Sequence, residues 1–443
     1  MNDRIGEVIG LKLGDALTRP FPDLIRREVL ATPLQQKARA VIGMRRAGKT
    51  SFLYQCLADR LAAGVERERL IYFNFEDERL AGMEASDLGL LTEEYYRKFP
   101  AFRGNCLVTW CLDEIQVISG WEAWVRRLLD SESVEIFLSG SSARMLSREV
   151  ATSMRGRALE SIITPYSFRE FVRARGREVP EESVLLSSAE RSSLRSCFDD
   201  YLHTGGFPEA CKLTSPRDRV NLLQGYVDSV LFRDIAERHQ ITNLPVLRAF
   251  VRQLLRSAGC LFSVSKIYQD FKSRGMSVSK ESLLEYLSHL EDAFLVFALP
   301  VATESERRRQ VNPRKLYLAD HSLAAAFAPA TKLDRGHLLE NIVACELARH
   351  YRDLCYVRTK TGLEVDFLAT DDDGQQLLIQ VATSVRDPNT LERETRALLA
   401  AAKAYPDAQS LLLAEDDATE ITTPQPIKYI SIWRWLLIRR SEA

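Results

Sequence analysis

No stretch of this chain stays apolar for the roughly 18 residues that a membrane-crossing helix needs. Its opening, MNDRIGEVIGLKLGD, lacks the basic segment and apolar core of a secretory leader. A cytoplasmic protein is expected. Charge of one sign is missing too: 60 Lys and Arg stand against 61 Asp and Glu, a net charge of −1. That argues against non-specific coating of nucleic acid and leaves a local basic patch open. The eight cysteines form no C-x-x-C pair and most lie in apolar runs, so buried free thiols are expected rather than zinc or disulfides. The six histidines are equally scattered. Internal repeats and low-complexity tracts are absent.

What is there is a globular balance, 46% hydrophobic and 27% charged, in 443 residues, too many for one ordinary domain. A short lead-in carries Arg26 and Arg27 on an expected helix. From Ala38 to about Pro165, short apolar runs alternate with helical stretches. The strands expected are Ala38–Ile42, Leu70–Phe75, Cys106–Leu112 and Val134–Leu138. The helices are Thr50–Ala63, closed by Gly64, and Trp121–Asp130. Runs of this kind suit strands buried on both faces of a parallel sheet, and the alternation implies βαβ units. The pattern then turns helical, broken at Gly205-Gly206-Phe207-Pro208. A compact helical block, Val251–Phe294, leads to strands near Leu295–Leu299 and Lys315–Leu318. Mixed α/β returns at the end: a helix over His337–Arg349, then strands near Tyr356–Arg358, Glu364–Ala369 and Gln376–Val381. Asp371–Gly374 makes the turn between the last two.

Gly43-Met44-Arg45-Arg46-Ala47-Gly48-Lys49-Thr50 fits G-x-x-x-x-G-K-[ST], the pattern of a phosphate-binding loop. Chance alone would supply such a match about once in a hundred chains of this length, with Gly usage near 7%. Its context also fits. A strand precedes it, and an amphipathic helix follows with Phe52, Leu53, Cys56, Leu57 and Leu61 on its apolar side. Backbone N–H groups of Gly43, Arg45, Arg46, Ala47, Gly48, Lys49, Thr50 and Ser51 would curl around phosphates at the positive end of that helix. Lys49 would reach the β- and γ-phosphates of ATP, and Thr50 would ligate Mg²⁺. The second half of such a site is an acid at the end of a buried strand. Asp113, holding Mg²⁺ through water, and Glu114, polarising the attacking water, follow the run Cys106–Leu112. Ser141, after the next strand, is either a γ-phosphate sensor or the N-cap of a helix over Ala143–Arg148. Arg157, with Arg155 behind it, offers a mobile cation. It would act within its own subunit, on a neighbour, or only as a salt-bridge partner.

These residues carry a resemblance. Gly43–Thr50, Phe73-Asn74-Phe75-Glu76-Asp77, Leu112-Asp113-Glu114-Ile115-Gln116 with Trp121 or Trp124 behind it, Ser139–Ala143 and Arg155-Gly156-Arg157 run in order through the first part. Pro165–Phe171, Gly205–Glu209, Arg233-Asp234-Ile235, Glu340-Asn341 and Glu364-Val365-Asp366-Phe367 continue it. The chain resembles the bacterial and archaeal AAA-type ATPases that join an AAA_14 domain to a DUF4143 C-terminal region. The resemblance implies an ATPase core over residues 1–166, a helical lid and winged-helix region over 167–335, and a restriction-endonuclease-like α/β domain over 336–443. No substrate comes with it.

The helices expected over Val264–Ser273 and Ser279–Glu291, with Gly275 between them, have helix-turn-helix spacing. Arg307-Arg308-Arg309 would sit on a wing and meet phosphates. The second helix carries Glu281, Glu285, Glu291 and Asp292, which suit DNA poorly, so a protein client stays open beside DNA. In the last region Glu340 and Asp366 match two places of a PD-(D/E)xK nuclease, while the third reads Gln380-Val381-Ala382, without its lysine. A scaffold that binds but does not cut is expected. The whole then reads as an ATP-driven switch or motor coupled to a recognition region, with homo-oligomers left open. A slow ATP-binding switch and an ATP-gated nuclease are the alternatives.

Overall fold

The structure, a computed structural model, describes residues 2–29, 32, 36–140, 154, 156–179, 186–328, 334–416 and 421–438. It divides into two compact units, Met1–Thr164 and Pro165–Ala443.

In the first unit, β1 (Ala38–Ile42), β2 (Leu70–Asn74), β3 (Val108–Asp113), β4 (Val134–Ser139) and β5 (Ala158–Ile162) form one sheet in the order β2-β3-β4-β1-β5. All of its pairings are parallel. Every residue of β3 and β4 is buried, because helices cover both faces of the sheet centre and no position can afford a charge without a partner. Glu135 on β4 has such partners: Arg60 contacts it at 2.6 Å and Thr109 donates to it at 3.1 Å. The helices are α1 (Asn2–Thr18), α2 (Lys49–Ala62), α3 (Leu88–Lys98) and α4 (Trp121–Ser131). The four strands read from apolar runs are all present within two residues. Strand β5 is not legible that way. It lies at the sheet edge, and Leu159, Glu160 and Ile162 on it are exposed.

Two expectations need correction here. Arg26 and Arg27 are not helical; they lie in the irregular segment between α1 and β1. Leu61 is not on the buried side of α2: it is 42% exposed, and the covered positions are Lys49, Phe52, Leu53, Gln55, Cys56 and Leu57.

The second unit begins with a capped helix, Phe168–Ala174. The Ser167 side chain accepts from the Glu170 N–H at 3.1 Å and Glu170 accepts from the Ser167 N–H at 2.9 Å, which satisfies helix-start donors that would otherwise be buried and orphaned. Helices Ser188–Thr204 and Pro216–Ser229 follow. The latter runs on into a π-helical turn, Val230–Ala236, that holds Arg233-Asp234-Ile235. The Gly205-Gly206 break is a close approach. A Cβ on Gly206 would stand 2.4 Å from the Tyr166 carbonyl oxygen, and the Gly206 N–H donates to Asp320 at 2.8 Å.

Next come helix Leu244–Leu255, β6 (Leu261–Phe262), helices Val264–Ser273 and Lys280–Asp292, β7 (Val296–Leu299) and β8 (Arg314–Leu318). The strands make an antiparallel sheet in the order β6-β8-β7. Arg307–Arg309 are not on an extended wing tip: they lie on a short helix, Glu306–Val311, between β7 and β8. Beyond helix Arg335–His350, the strands β9 (Asp353–Arg358), β10 (Glu364–Thr370), β11 (Gln376–Ala382), β12 (Gln409–Ala414) and β13 (Lys428–Ser431) form a mixed sheet in the order β13-β12-β11-β10-β9. Helix Pro388–Ala402 crosses between the parallel strands β11 and β12. The Asp371 carboxylate accepts from the N–H groups of Asp373 and Gln375, and Gly374 takes φ +80, so the acidic run is an Asx-type hairpin turn as its residues suggest.

Candidate nucleotide site

Strand β1 ends at Ile42, and the loop Gly43–Gly48 turns the chain into α2. Gly43 has φ +145, and Gly48, the N-cap of α2, has φ +104. Gly48 has no side chain to cap the helix, so no side chain of the N-cap residue competes with an anion for the first N–H groups of α2. Lys49 is buried, and its ammonium donates to the carbonyls of Gly43 at 3.0 Å and Met44 at 3.2 Å, so it lies folded across the loop. Arg45 is half-buried and Arg46 exposed; Thr50 and Ser51 are exposed on the first turn of α2. Ala47 is buried.

The neighbouring strand brings in the acid. Asp113 is buried at the end of β3, and its Oδ2 accepts from the Thr50 hydroxyl at 2.8 Å and the Tyr72 hydroxyl at 2.6 Å. Ser139, the last residue of β4, donates to Oδ1 of the same carboxylate. The two residues read as the Mg²⁺ pair are thus in direct contact. Thr50 and Asp113 fit that ion, because a hydroxyl and a carboxylate oxygen face each other beside the phosphate loop.

Glu114 follows with φ +54, a left-handed conformation that few side chains adopt and that costs about 1–3 kcal/mol. Its N–H is fixed by Ser139 Oγ at 3.2 Å and its carboxylate by the Gln116 amide. Burial raises its pKa above the usual carboxylate range against the pull of Lys49; Asp113 raises it further, while Gln116 and Arg45 lower it. A carboxylate of this kind is a better base than a free one.

Tyr72 and Arg27 had no motif to announce them, and Ser139, though it opens the run Ser139–Ala143, had no role read for it. Tyr72 on β2 and Ser139 on β4 fix Asp113 from either side. Both stand at strand positions that only the sheet order brings beside β3. Arg27 is buried under the loop, where its guanidinium donates to the Ala47 carbonyl at 2.8 Å and to the Thr164 carbonyl. Its backbone exchanges hydrogen bonds with the Gln55 amide at 2.7 and 3.1 Å. A guanidinium suits this place because it offers several donors in a rigid fork.

Arg157 is not brought to this loop. It immediately precedes β5, whose register pairs Ala158 with Ala38 and Ile162 with Ile42. It therefore stands at the opposite end of the sheet, about 16 Å along a five-residue strand at roughly 3.3 Å per residue. There it pairs with Asp130. A role in its own chain's site is corrected by this placement. Ser141, Arg155 and the helix expected over Ala143–Arg148 lie outside the described residues.

The carboxylates expected in the last region do converge, around a lysine from elsewhere. Lys315 of β8 contacts Asp366 at 2.8 Å, Glu364 at 2.9 Å and Glu340 at 3.0 Å. A lysine that Gln380-Val381-Ala382 lacks in sequence thus stands among these carboxylates in space, contributed by β8. Gln380 is turned away: its oxygen accepts from the Asp366 N–H at 3.3 Å and its amide donates to Glu394 at 2.9 Å. Among the described residues, no group of three or more His, Cys, Asp or Glu is placed to hold a metal ion.

Residues 35–172 match the AAA domain family AAA_14, and 335–435 match DUF4143, a domain of unknown function. An uncharacterized protein of Methanocaldococcus jannaschii is 30% identical over 430 residues, covering 94% of this chain and 91% of its own length. The chain belongs to this AAA-type ATPase family. Another uncharacterized relative, from Haemophilus influenzae, is 29% identical over 400 residues, covering 90% of this chain and 94% of its own. Residues 195–334 match a further domain of unknown function, DUF8612. A solved structure of the Aeropyrum pernix ORC1 protein in complex with DNA aligns with 73% of this chain and 91% of its own at 16% identity, with a TM-score of 0.27. The phosphate loop and Asp113 lie within the AAA match, so nucleotide binding is the family property to which this geometry belongs. Among the described residues no helix is long and apolar enough to cross a membrane.

Proposed function

We propose that the chain is a Mg²⁺-dependent ATPase that works as a switch or motor, coupled to recognition through its second unit. The contact between Thr50 and Asp113, with Glu114 one residue on, is the observation that supports this most. Lys49 would exchange the Gly43 and Met44 carbonyls for phosphate oxygens, trading neutral acceptors for charged ones. The loop N–H groups and the start of α2 would orient the phosphates. Glu114 would take the proton of the attacking water. Thr50 and Asp113 would hold the Mg²⁺ that enters with ATP, and that ion would supply charge neutralisation for the phosphates. Steady-state phosphate release with Mg²⁺ against EDTA tests the proposal; no release in Mg²⁺ counts against it.

The slow-switch alternative has an observation of its own. The Gln116 amide occupies the Glu114 carboxylate, so hydrolysis would wait for that bond to open. Gln116→Ala would then raise turnover, and an unchanged or lower rate removes the brake.

Arg157 is proposed only as a group acting on a neighbouring copy. Arg157→Ala lowers turnover in that case, and mixing it with a Lys49→Ala partner restores part of the rate. A wild-type rate in Arg157→Ala leaves it the ion-pair partner of Asp130.

The order helix, strand, two helices, then the β7–β8 hairpin supports a winged-helix reading of residues 244–318. Glu281, Leu284 and Glu285 are exposed on its second helix, which favours a protein client over DNA there. Arg307 and Arg308 are exposed, while Arg309 contacts Asp353 at 3.3 Å. DNA binding is therefore expected to be weak. Arg307→Ser with Arg308→Ser should flatten its log–log salt slope by about 2, at roughly 0.9 per phosphate contact. A slope that ignores the change puts the contact elsewhere. No DNA cleavage is expected in Mg²⁺ or Mn²⁺, with or without ATP. Cleavage abolished by Asp366→Ala would promote the ATP-gated nuclease.

A further inference from the structure

A nuclease-like fold implies a divalent ion between Glu340 and Asp366, and the residues present do not fit one. The point where their oxygens converge is held by the Lys315 ammonium, whose side chain is 4% exposed. The ammonium donates to Glu340 at 3.0 Å and to Asp366 at 2.8 Å, and Glu364 stands against it as a third ion-pair partner at 2.9 Å. Three carboxylates already face this one cation, which leaves no open oxygen fan for a metal that wants about six ligands.

The surroundings fix the ammonium there. The Tyr317 hydroxyl, two residues along β8, donates to Glu340 at 2.6 Å. The Val381 N–H donates to the second oxygen of Asp366 at 2.9 Å. The Asn341 amide pairs with both backbone groups of Leu318, accepting at 2.8 Å and donating at 3.1 Å, so it extends the hydrogen bonding of β8 as another strand would. Glu340-Asn341 thus clasps β8, Glu340 by its side chains and Asn341 by its backbone. The motif that suggests a metal ligand in sequence is a strand clasp in space.

We propose that Lys315 is the resident cation of this cluster: it stands where a metal would, closes the site to divalent ions and ties helix Arg335–His350 and β10 to β8. The nuclease-like frame is then kept as a charge-locked joint.

Mn²⁺ titration of the nucleotide-free full chain, read by electron paramagnetic resonance, tests this. Four proteins are compared: wild type, Asp366→Asn, Lys315→Met, and Lys315→Met with Asp366→Asn. The expected result is a bound Mn²⁺ gained by Lys315→Met, absent from the wild type and lost again in the double variant. A wild-type Mn²⁺ that Asp366→Asn abolishes would overturn the proposal, since Lys315 would then accompany a metal rather than replace it. So would a folded Lys315→Met, checked by circular dichroism, that gains none. If Lys315→Met is insoluble without metal, refolding in excess MnCl₂ should recover it as the Mn²⁺-bound form. Failure to recover also overturns the proposal.

Discussion

Glu114→Gln is expected to bind ATP with wild-type affinity and to hydrolyse it about 10²–10⁴-fold more slowly, the span that a positioned general base contributes. The substitution keeps the side chain's size and its capacity to bond Gln116, so the left-handed turn after Asp113 is not disturbed. What disappears is the ability to take a proton. Because burial raises the Glu114 pKa, the wild-type rate should fall on acidification while ordinary carboxylates are still ionised. The sign follows from the role: the base works deprotonated, so activity is lost as pH drops through its raised pKa. Phosphate release across pH, beside equilibrium ATP binding, checks both statements. Wild-type turnover in Glu114→Gln would remove the residue from the chemistry.

Gly43→Ala should abolish measurable ATP binding and lower the thermal midpoint by several degrees. A Cβ at Gly43 would lie 2.0 Å from the Ile163 carbonyl oxygen, and the residue sits at φ +145. Both facts arise from one piece of geometry: β5 runs beside β1, and the Ile163 N–H bonds the Ile42 carbonyl at 2.7 Å just where the loop begins. The backbone strain alone is about 1–3 kcal/mol, worth about 2–4 °C per kcal/mol in a unit of this size. The steric overlap adds to it and must be relieved by moving the loop. Gly64→Ala is the control. It too has positive φ, +87, but a Cβ there meets nothing within 4 Å. It should cost about 1 kcal/mol and leave ATP affinity unchanged. Equal loss of binding in both variants would contradict the argument from the loop.

The phosphate loop, the strand before it and the acid pair after β3 were legible because each follows from local chemistry. A loop around phosphates needs glycine and lysine at fixed spacing, and a doubly covered strand needs an unbroken apolar run. Strand β5 escaped because an edge strand needs no such run. Arg27, Tyr72 and Ser139 escaped because their roles depend on which strands and loops become neighbours, not on spacing. Arg157 shows the converse. Its sequence context suited a finger, but parallel pairing with β1 puts it at the far end of the sheet from Gly43. The lysine absent from Gln380-Val381-Ala382 was sought on the wrong strand. Lys315 comes from β8, 51 residues before Asp366 in the chain, and only the folded second unit brings the two together.

Side-by-side phosphate release by the wild type and Lys49→Ala, in Mg²⁺ and in EDTA, tests the central claim most directly. The ammonium that lies across the loop is the group this account assigns to the β- and γ-phosphates. Release that needs Mg²⁺ and vanishes in Lys49→Ala, together with ATP binding, is the expected result. Release that persists in Lys49→Ala, or a wild type that neither binds nor hydrolyses ATP, would contradict it.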